Sequence, residues 1–290
     1  MKFTPTAAAL HATVTETDLA KPLGSADISA IEHALAKYGV LSFPGQQLTP
    51  QQFRRFSNQF GELEINVANK FHEPGIPEMM ILSNMVDNGR PVGMVDAGQG
   101  WHTDLSYREV VGYATILYGL KIPHRDGKPL GCTEFCNMAA AYDDLPQDIK
   151  TRLQGMTLRH DFAKFWDMMR LEKGSPRSEL THEQRAARPP ASHPIFLEHP
   201  ISGCKVLYAN PGYSVRINEI SQGESDKMLA YLFAHQTQPK FKYRHPWSVG
   251  DVLMWDNIGT IHNAVADYTA EEPRLLKRCQ VIGSRLFTTA

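Results

Sequence analysis

Between Lys240 and Ile282 the chain breaks into short strand-length runs separated by turns: Lys240–Tyr243, Asp251–Trp255, Thr260–Val265 and Lys277–Ile282. Pro194–Glu198 and Lys205–Ala209, joined by a turn at Ser202-Gly203, continue the pattern upstream. Gly39–Gly45, Met79–Leu82 and the apolar run Ala114–Leu120 add further strands. Runs this short cannot each bury a face alone. They must pair and close on one another as a barrel or as packed sheets. The expected fold is mainly β, with a jelly-roll or barrel core and helices packed outside it.

Helical spacing lies elsewhere. Asp27-Ile28-Ser29 opens a helix with cap chemistry, and Ile28, Ile31 and Leu35 share one face. Thr49 as N-cap and Pro50 at the first helical position open a second, whose stripe of Phe53, Phe56 and Phe60 reads as core. Asn137–Tyr142, Pro146–Leu153 and Ser221–His235 complete the set. Helices are thus expected mainly in 27–60, 137–190 and 221–236 of one domain, 1–290. Residues 66–100 are loop-like around Asn88-Gly89-Arg90-Pro91, and 164–191 is a proline-bounded insertion. Both are candidate lids.

Composition narrows the function classes. The chain has 30 Lys+Arg against 31 Asp+Glu, so neither a basic stripe for nucleic acid nor a charged tail stands out. Cys132, Cys136, Cys204 and Cys279 are too few for a disulfide framework, and Cys132 and Cys136 are spaced CxxxC, not the redox CxxC. The N-terminal stretch lacks a signal-peptide core, and no run approaches the roughly 20 apolar residues of a membrane span. A cytoplasmic protein with reduced thiols is expected.

The chemistry-bearing stretch is Gly98–Tyr107, GQGWHTDLSY. If His102 and Asp104 lie on an extended strand, positions i and i+2 point to the same face, and an imidazole and a carboxylate converge. A second histidine would complete a 2-His-1-carboxylate site, which suits Fe(II) and leaves coordination positions open. Of the 12 histidines, His160, His182, His193, His199, His235 and His245 sit among polar residues and read as surface or strand-turn positions. His262, in the strand Thr260–Val265, is the best third ligand. The triad His193/Glu198/His199 ranks below it, because adjacent Glu198 and His199 face opposite sides of a strand. Downstream, positions 274, 276 and 278 share a strand face, so Arg274 and Arg278 would form a carboxylate receiver, or else ordinary surface ion pairs.

The ordered series WHTD, GCTEF, WDN, IH and RLLKR resembles the Fe(II)/2-oxoglutarate-dependent dioxygenases of the taurine dioxygenase and 2,4-dichlorophenoxyacetate dioxygenase family. The likeness runs from Asp18-Leu19-Ala20-Lys21-Pro22-Leu23 to the final strand. Thr133–Tyr142 and Tyr243–Asn257 are similar to the 2,4-dichlorophenoxyacetate branch. The resemblance implies a double-stranded β-helix (jelly-roll) core. It implies that His102, Asp104 and His262 ligate iron, and that Arg274 and the Thr133 hydroxyl bind the distal carboxylate of 2-oxoglutarate with Trp255 close to the metal. It further implies that Arg278 meets an anionic substrate group and that His72 contacts substrate. Gly98 departs from the taurine pattern, which carries an asparagine there, and so speaks against taurine itself.

The expected reaction is hydroxylation of a small anionic organic substrate, an aryloxyalkanoate, sulfonate or related acid, with O₂ consumed and 2-oxoglutarate converted to succinate and CO₂. Hydroxylation next to oxygen, sulfur or nitrogen would cleave that bond. A homodimer or homotetramer is expected by resemblance. The alternatives are a zinc-dependent hydrolase on the same ligand set and a non-enzymatic jelly-roll binding protein.

Overall fold

A computed structural model of the chain describes residues 1–65, 71–175 and 177–287. Its largest sheet has eight strands, ordered Lys2–Pro5, Ala12–Thr15, Val40–Phe43, Val252–Asp256, Gly112–Lys121, Leu275–Ile282, Ile76–Ser83 and His72–Glu73. All neighbours are antiparallel except Ala12–Thr15 with Val40–Phe43. A second sheet has three strands, ordered Lys242–His245, Thr133–Asn137 and Thr260–Ala264.

Strand alternation sorts the core into two layers. Val252 and Met254 join a cluster with Ile31, Leu35, Phe53 and Phe56, under the helices Ser25–Tyr38 and Pro50–Asn58. Leu253 and Trp255 turn the other way and pack with Leu117, Leu276 and with Phe135 of the three-stranded sheet. The site lies on this second side. The expected phenylalanine stripe is core: Phe56 meets Phe60 edge-on at 5.2 Å, and all three rings are buried. Thr49 and Gln52 form a reciprocal capping box with Pro50 in the first turn.

Several boundaries differ from expectation. The first helix starts at Ser25 behind an N-cap at Gly24, so Asp27 lies in its first turn and does not cap it. The expected strand Met79–Leu82 extends to Ile76–Ser83, eight residues of the main sheet, and the turn-rich Asn88-Gly89 joins Val86–Asp87 and Arg90–Pro91 in a hairpin. Residues 66–70 of that stretch, and 176 of the insertion, lie outside the described residues, as do 288–290 of the expected 1–290 domain. The insertion carries the helices Phe162–Glu172 and His182–Ala186. Pro239–Phe241 is a 3-10 turn, and pairing starts at Lys242.

The largest correction concerns the histidines. His182 is exposed, but His160, His193, His199, His235 and His245 are buried. Each has found an internal polar partner: Ser106 Oγ, the Arg108 carbonyl, Asp256, the Ala141 carbonyl and the Tyr243 hydroxyl. A satisfied imidazole is a tolerable core group, and polar sequence neighbours say nothing about which way a strand residue points. No described helix is long and apolar enough to cross a membrane. All four cysteines are free.

Candidate active site

His102 and His262 are joined by an antiparallel bridge. The His102 N–H donates to the His262 carbonyl at 3.0 Å, and the His262 N–H returns the bond at 2.7 Å. The Ala264 N–H donates to the Gly98 carbonyl at 2.8 Å, so 98–102 edges the Thr260–Ala264 strand. Residues directly opposed in such a ladder project to one face, and the two imidazole centroids lie 4.1 Å apart.

Asp104 arrives differently from the sequence expectation. Only His102 is bridged; the chain leaves the ladder and turns at Asp104, followed by Leu105 at φ +60°. The i, i+2 alternation nonetheless holds, because Thr103 faces away and donates to the Asn257 carbonyl at 2.6 Å. His102 Nε2 is 3.6 Å from Asp104 Oδ1, and His262 Nε2 is 3.8 Å from Asp104 Oδ2. One donor atom from each residue lies within 4.8 Å of the others, and all three side chains are buried.

Protonation suits cation binding. His102 Nδ1 donates to the Gly100 carbonyl at 2.7 Å, which leaves Nε2 as the lone-pair nitrogen facing Asp104. Burial, then the neighbouring His102, holds His262 well below the usual histidine range, so its ring is neutral. Burial opposes charge on Asp104, but contact with whichever imidazole, His262 or His102, carries a proton, together with the permanent cation of Arg278, outweighs it and holds the carboxyl far below the usual range. Two imidazole nitrogens and one carboxylate are a donor set for a divalent transition metal. The group fits the residues present.

The two arginines meet different neighbours. Leu276 lies between them in sequence and packs into the inner core. Arg278 lines the cavity beside Met80 and Gln280, with Nη2 at 3.2 Å from the Met80 sulfur. Arg274 precedes the strand and is held by Gly131, whose carbonyl accepts from Nη2 at 3.1 Å, over the Tyr268 ring at 5.5 Å. Arg274 is 7% exposed, its Nε has no partner, and no carboxylate of the described residues lies within 4.0 Å of it. Burial pushes its pKa down, against Tyr268, Cys132 and Asp267, which favour the cation. Gly131 permits this close approach: at φ +69° a Cβ there would fall 2.6 Å from Arg274 Nε.

Thr133 Oγ1 accepts from Trp247 Nε1 at 3.0 Å, leaving its own proton free to donate. Trp255 packs on His262 with centroids 4.7 Å apart. His72 sits on the edge strand opposite Met80, and it does not itself line the cavity. Gly98, at φ +80°, has no side chain where a Cβ would stand 3.8 Å from His102 Cε1.

The cavity is narrow, about 50 Å³. Its roof is the insertion: the Phe165 ring lies 4.8 Å from His102, and Tyr213 closes the next side at 5.9 Å. Arg177 ties the insertion down through a two-point pair with Asp96, 3.0 Å at each contact, and stacks on Trp166. These cover residues went unnoticed in the sequence, as did Thr115, which donates to Asp104 Oδ2 at 2.7 Å. Thr115 sits in an apolar run with no local signal.

Comparison with known proteins gives the same picture. The family model described as taurine catabolism dioxygenase TauD, TfdA family matches residues 2–280. Alpha-ketoglutarate-dependent 2,4-dichlorophenoxyacetate dioxygenase of Burkholderia sp. (strain RASC) is 35% identical, covering 91% of this chain and 88% of its own. Alpha-ketoglutarate-dependent sulfate ester dioxygenase of Pseudomonas putida is 30% identical, covering 96% and 88%. The crystal structure of AAD-2 in complex with Mn(II) and N-oxalylglycine superposes with a TM-score of 0.82 at 27% identity, covering 98% of each chain.

Proposed function

The chain belongs to the TauD, TfdA family of alpha-ketoglutarate-dependent dioxygenases, and from that premise we propose that it hydroxylates a small anionic organic substrate at a non-haem Fe(II) site. In this reading the two packed sheets are the halves of a double-stranded β-helix, and His102, Asp104 and His262 hold the metal. Bound Fe(II) supplies O₂ activation coupled to conversion of 2-oxoglutarate (alpha-ketoglutarate) to succinate and CO₂, with oxygen inserted into a substrate C–H bond.

The chain's own residues bind, orient and exclude water. Arg274 takes the distal carboxylate of 2-oxoglutarate in a charge-assisted pair, with the free Thr133 proton as a second donor. Trp255 walls the metal side. Arg278 receives the anionic group of the substrate, and His72, on the strand paired with Met80, is the substrate contact that the family resemblance adds. Phe162, Phe165 and Tyr213 give the remaining cavity an aromatic lining, which suits an acid with an apolar body. Ligand sites usually span about 300–1,000 Å³, far more than the present cavity. Entry of an aryloxyalkanoate, sulfonate or sulfate ester therefore requires the 164–191 insertion to lift away from the 71–100 segment, in the manner of a lid.

The observation that carries this reading is Arg274, a buried guanidinium without a carboxylate partner among the described residues. A hydrolase or a binding protein built on the same triad would leave that cation without a purpose. Anaerobic addition of Fe(II) and 2-oxoglutarate to the full-length protein tests it. A visible charge-transfer band is expected, and a spectrum unchanged by 2-oxoglutarate would overturn the assignment. Succinate release across a panel of aryloxyalkanoates, sulfonates and sulfate esters then identifies the substrate.

A further inference from the structure

Asp104 is held from behind by two residues. Thr115, on the inner face of the central strand Gly112–Lys121, is fully buried, and its hydroxyl lies 2.7 Å from Asp104 Oδ2. Asn257, also fully buried, places its side-chain Nδ2 3.0 Å from Thr115 Oγ1. The direction of both bonds follows from the chemistry. An ionised carboxylate only accepts, so Thr115 must donate to it. The threonine oxygen is then free to accept, so Asn257 must present its NH₂ group.

Asn257 is itself anchored on three sides. Its N–H donates to the Tyr113 carbonyl at 2.9 Å, and its carbonyl accepts from Thr103 at 2.6 Å. Asp256, which precedes it, accepts from the N–H groups of Ile258 and Gly259 and pairs with buried His199 at 3.0 Å. Gly112 leaves room for the amide; a Cβ there would stand 3.3 Å from Asn257 Nδ2 and 3.0 Å from the Asp104 carbonyl. Asn257 thus grips the ligand loop twice, at Thr103 between the two ligands and at Asp104 through Thr115.

We infer that Thr115 and Asn257 are positioning residues that fix the rotation of the Asp104 carboxylate, holding Oδ2 from behind so that Oδ1 stays toward His102 and Oδ2 toward His262. This rests on His102, Asp104 and His262 being the metal site. Held in this way, the carboxylate would meet a divalent metal already oriented between His102 and His262, and loss of the Thr115 hydroxyl would free it to rotate. Loss of such outer contacts weakens metal affinity about 10- to 100-fold in other sites.

The test is Mn(II) binding to metal-free full-length protein, followed by calorimetry and by the electron paramagnetic resonance of bound Mn(II). Thr115→Val, which keeps the shape and removes the hydroxyl, should weaken Mn(II) affinity at least about 10-fold, with some loss of melting temperature because the buried Asn257 amide and Asp104 Oδ2 lose this partner. Thr115→Ser should restore affinity, which a packing role for the methyl group would not. Asn257→Ala spares the central strand and should weaken binding in the same direction if Thr115→Val does not fold. Wild-type affinity in both Thr115→Val and Asn257→Ala, or in Asn257→Ala alone where Thr115→Val does not fold, overturns the inference while leaving the metal site intact. Failure of the wild-type protein to bind Mn(II) overturns the metal site and this inference together.

Discussion

His102 and His262, 160 positions apart, face each other across a single antiparallel bridge and exchange backbone hydrogen bonds of 3.0 and 2.7 Å. The bridge, more than either side chain, makes them a pair, because it fixes both imidazoles on one face before any metal arrives.

His102→Ala and Asp104→Ala should each abolish substrate-dependent succinate formation. The bridge is a backbone contact and survives both substitutions, so circular dichroism should remain native. Normal turnover in either variant would remove these residues from the metal site.

Arg274→Met should raise the 2-oxoglutarate requirement about 10- to 100-fold, since a hydrogen bond to a charged group contributes about 1.5–3 kcal/mol. The same substitution removes a buried charge that has no carboxylate within 4.0 Å among the described residues. It should therefore raise the melting temperature of the ligand-free protein. Steady-state kinetics and thermal melts check the two halves separately.

Asp96→Asn should loosen the insertion. Asp96 and Arg177 side chains are each only 11% exposed, so removing the carboxylate's charge leaves the guanidinium poorly compensated. Hydrogen exchange should rise first in Phe162–Glu172, and KM for the organic substrate should shift more than KM for 2-oxoglutarate. Unchanged exchange in that helix would show that the pair does not hold the cover.

His11 should contribute to acid sensitivity. Burial, followed by repulsion from His245, lowers its pKa from 6.5 to about 4. In the pH window between those values the unfolded chain takes up a proton that the folded chain refuses. Stability is therefore full above pH 6.5 and falls as the pH drops toward 4. His11→Gln should lower stability at pH 7, through loss of the stack on Tyr243 at 4.4 Å, and flatten the loss between pH 6.5 and 4. Denaturant melts at several pH values check both effects.

What could be read locally was read correctly where one residue type has one physical use. Thr49, Pro50 and Gln52 specify a helix start by their own chemistry, and Phe53, Phe56 and Phe60 mark its buried face. Polar sequence neighbours mislead at His199 and His245, because burial of an imidazole depends on a partner, Asp256 or Tyr243, that only the fold supplies. Arg274 and Arg278 each stand two positions from Leu276, on either side, but Arg274 lies before the strand against the Gly131 carbonyl and Arg278 lines the cavity, a difference that only the docking of Gly131 and Met80 supplies.

The sequence by itself determined the donor types at His102, Asp104 and His262, the alternation that sorts Val252 from Leu253, and the cations available downstream. Only the tertiary structure decided that Asp104 comes from a turn, that Thr115 and Asn257 stand behind it, and that Arg177 and Asp96 hold the roof. Local propensity acts over a few residues. Each of these contacts joins groups brought together by strand register or by docking of the insertion, which no short stretch encodes.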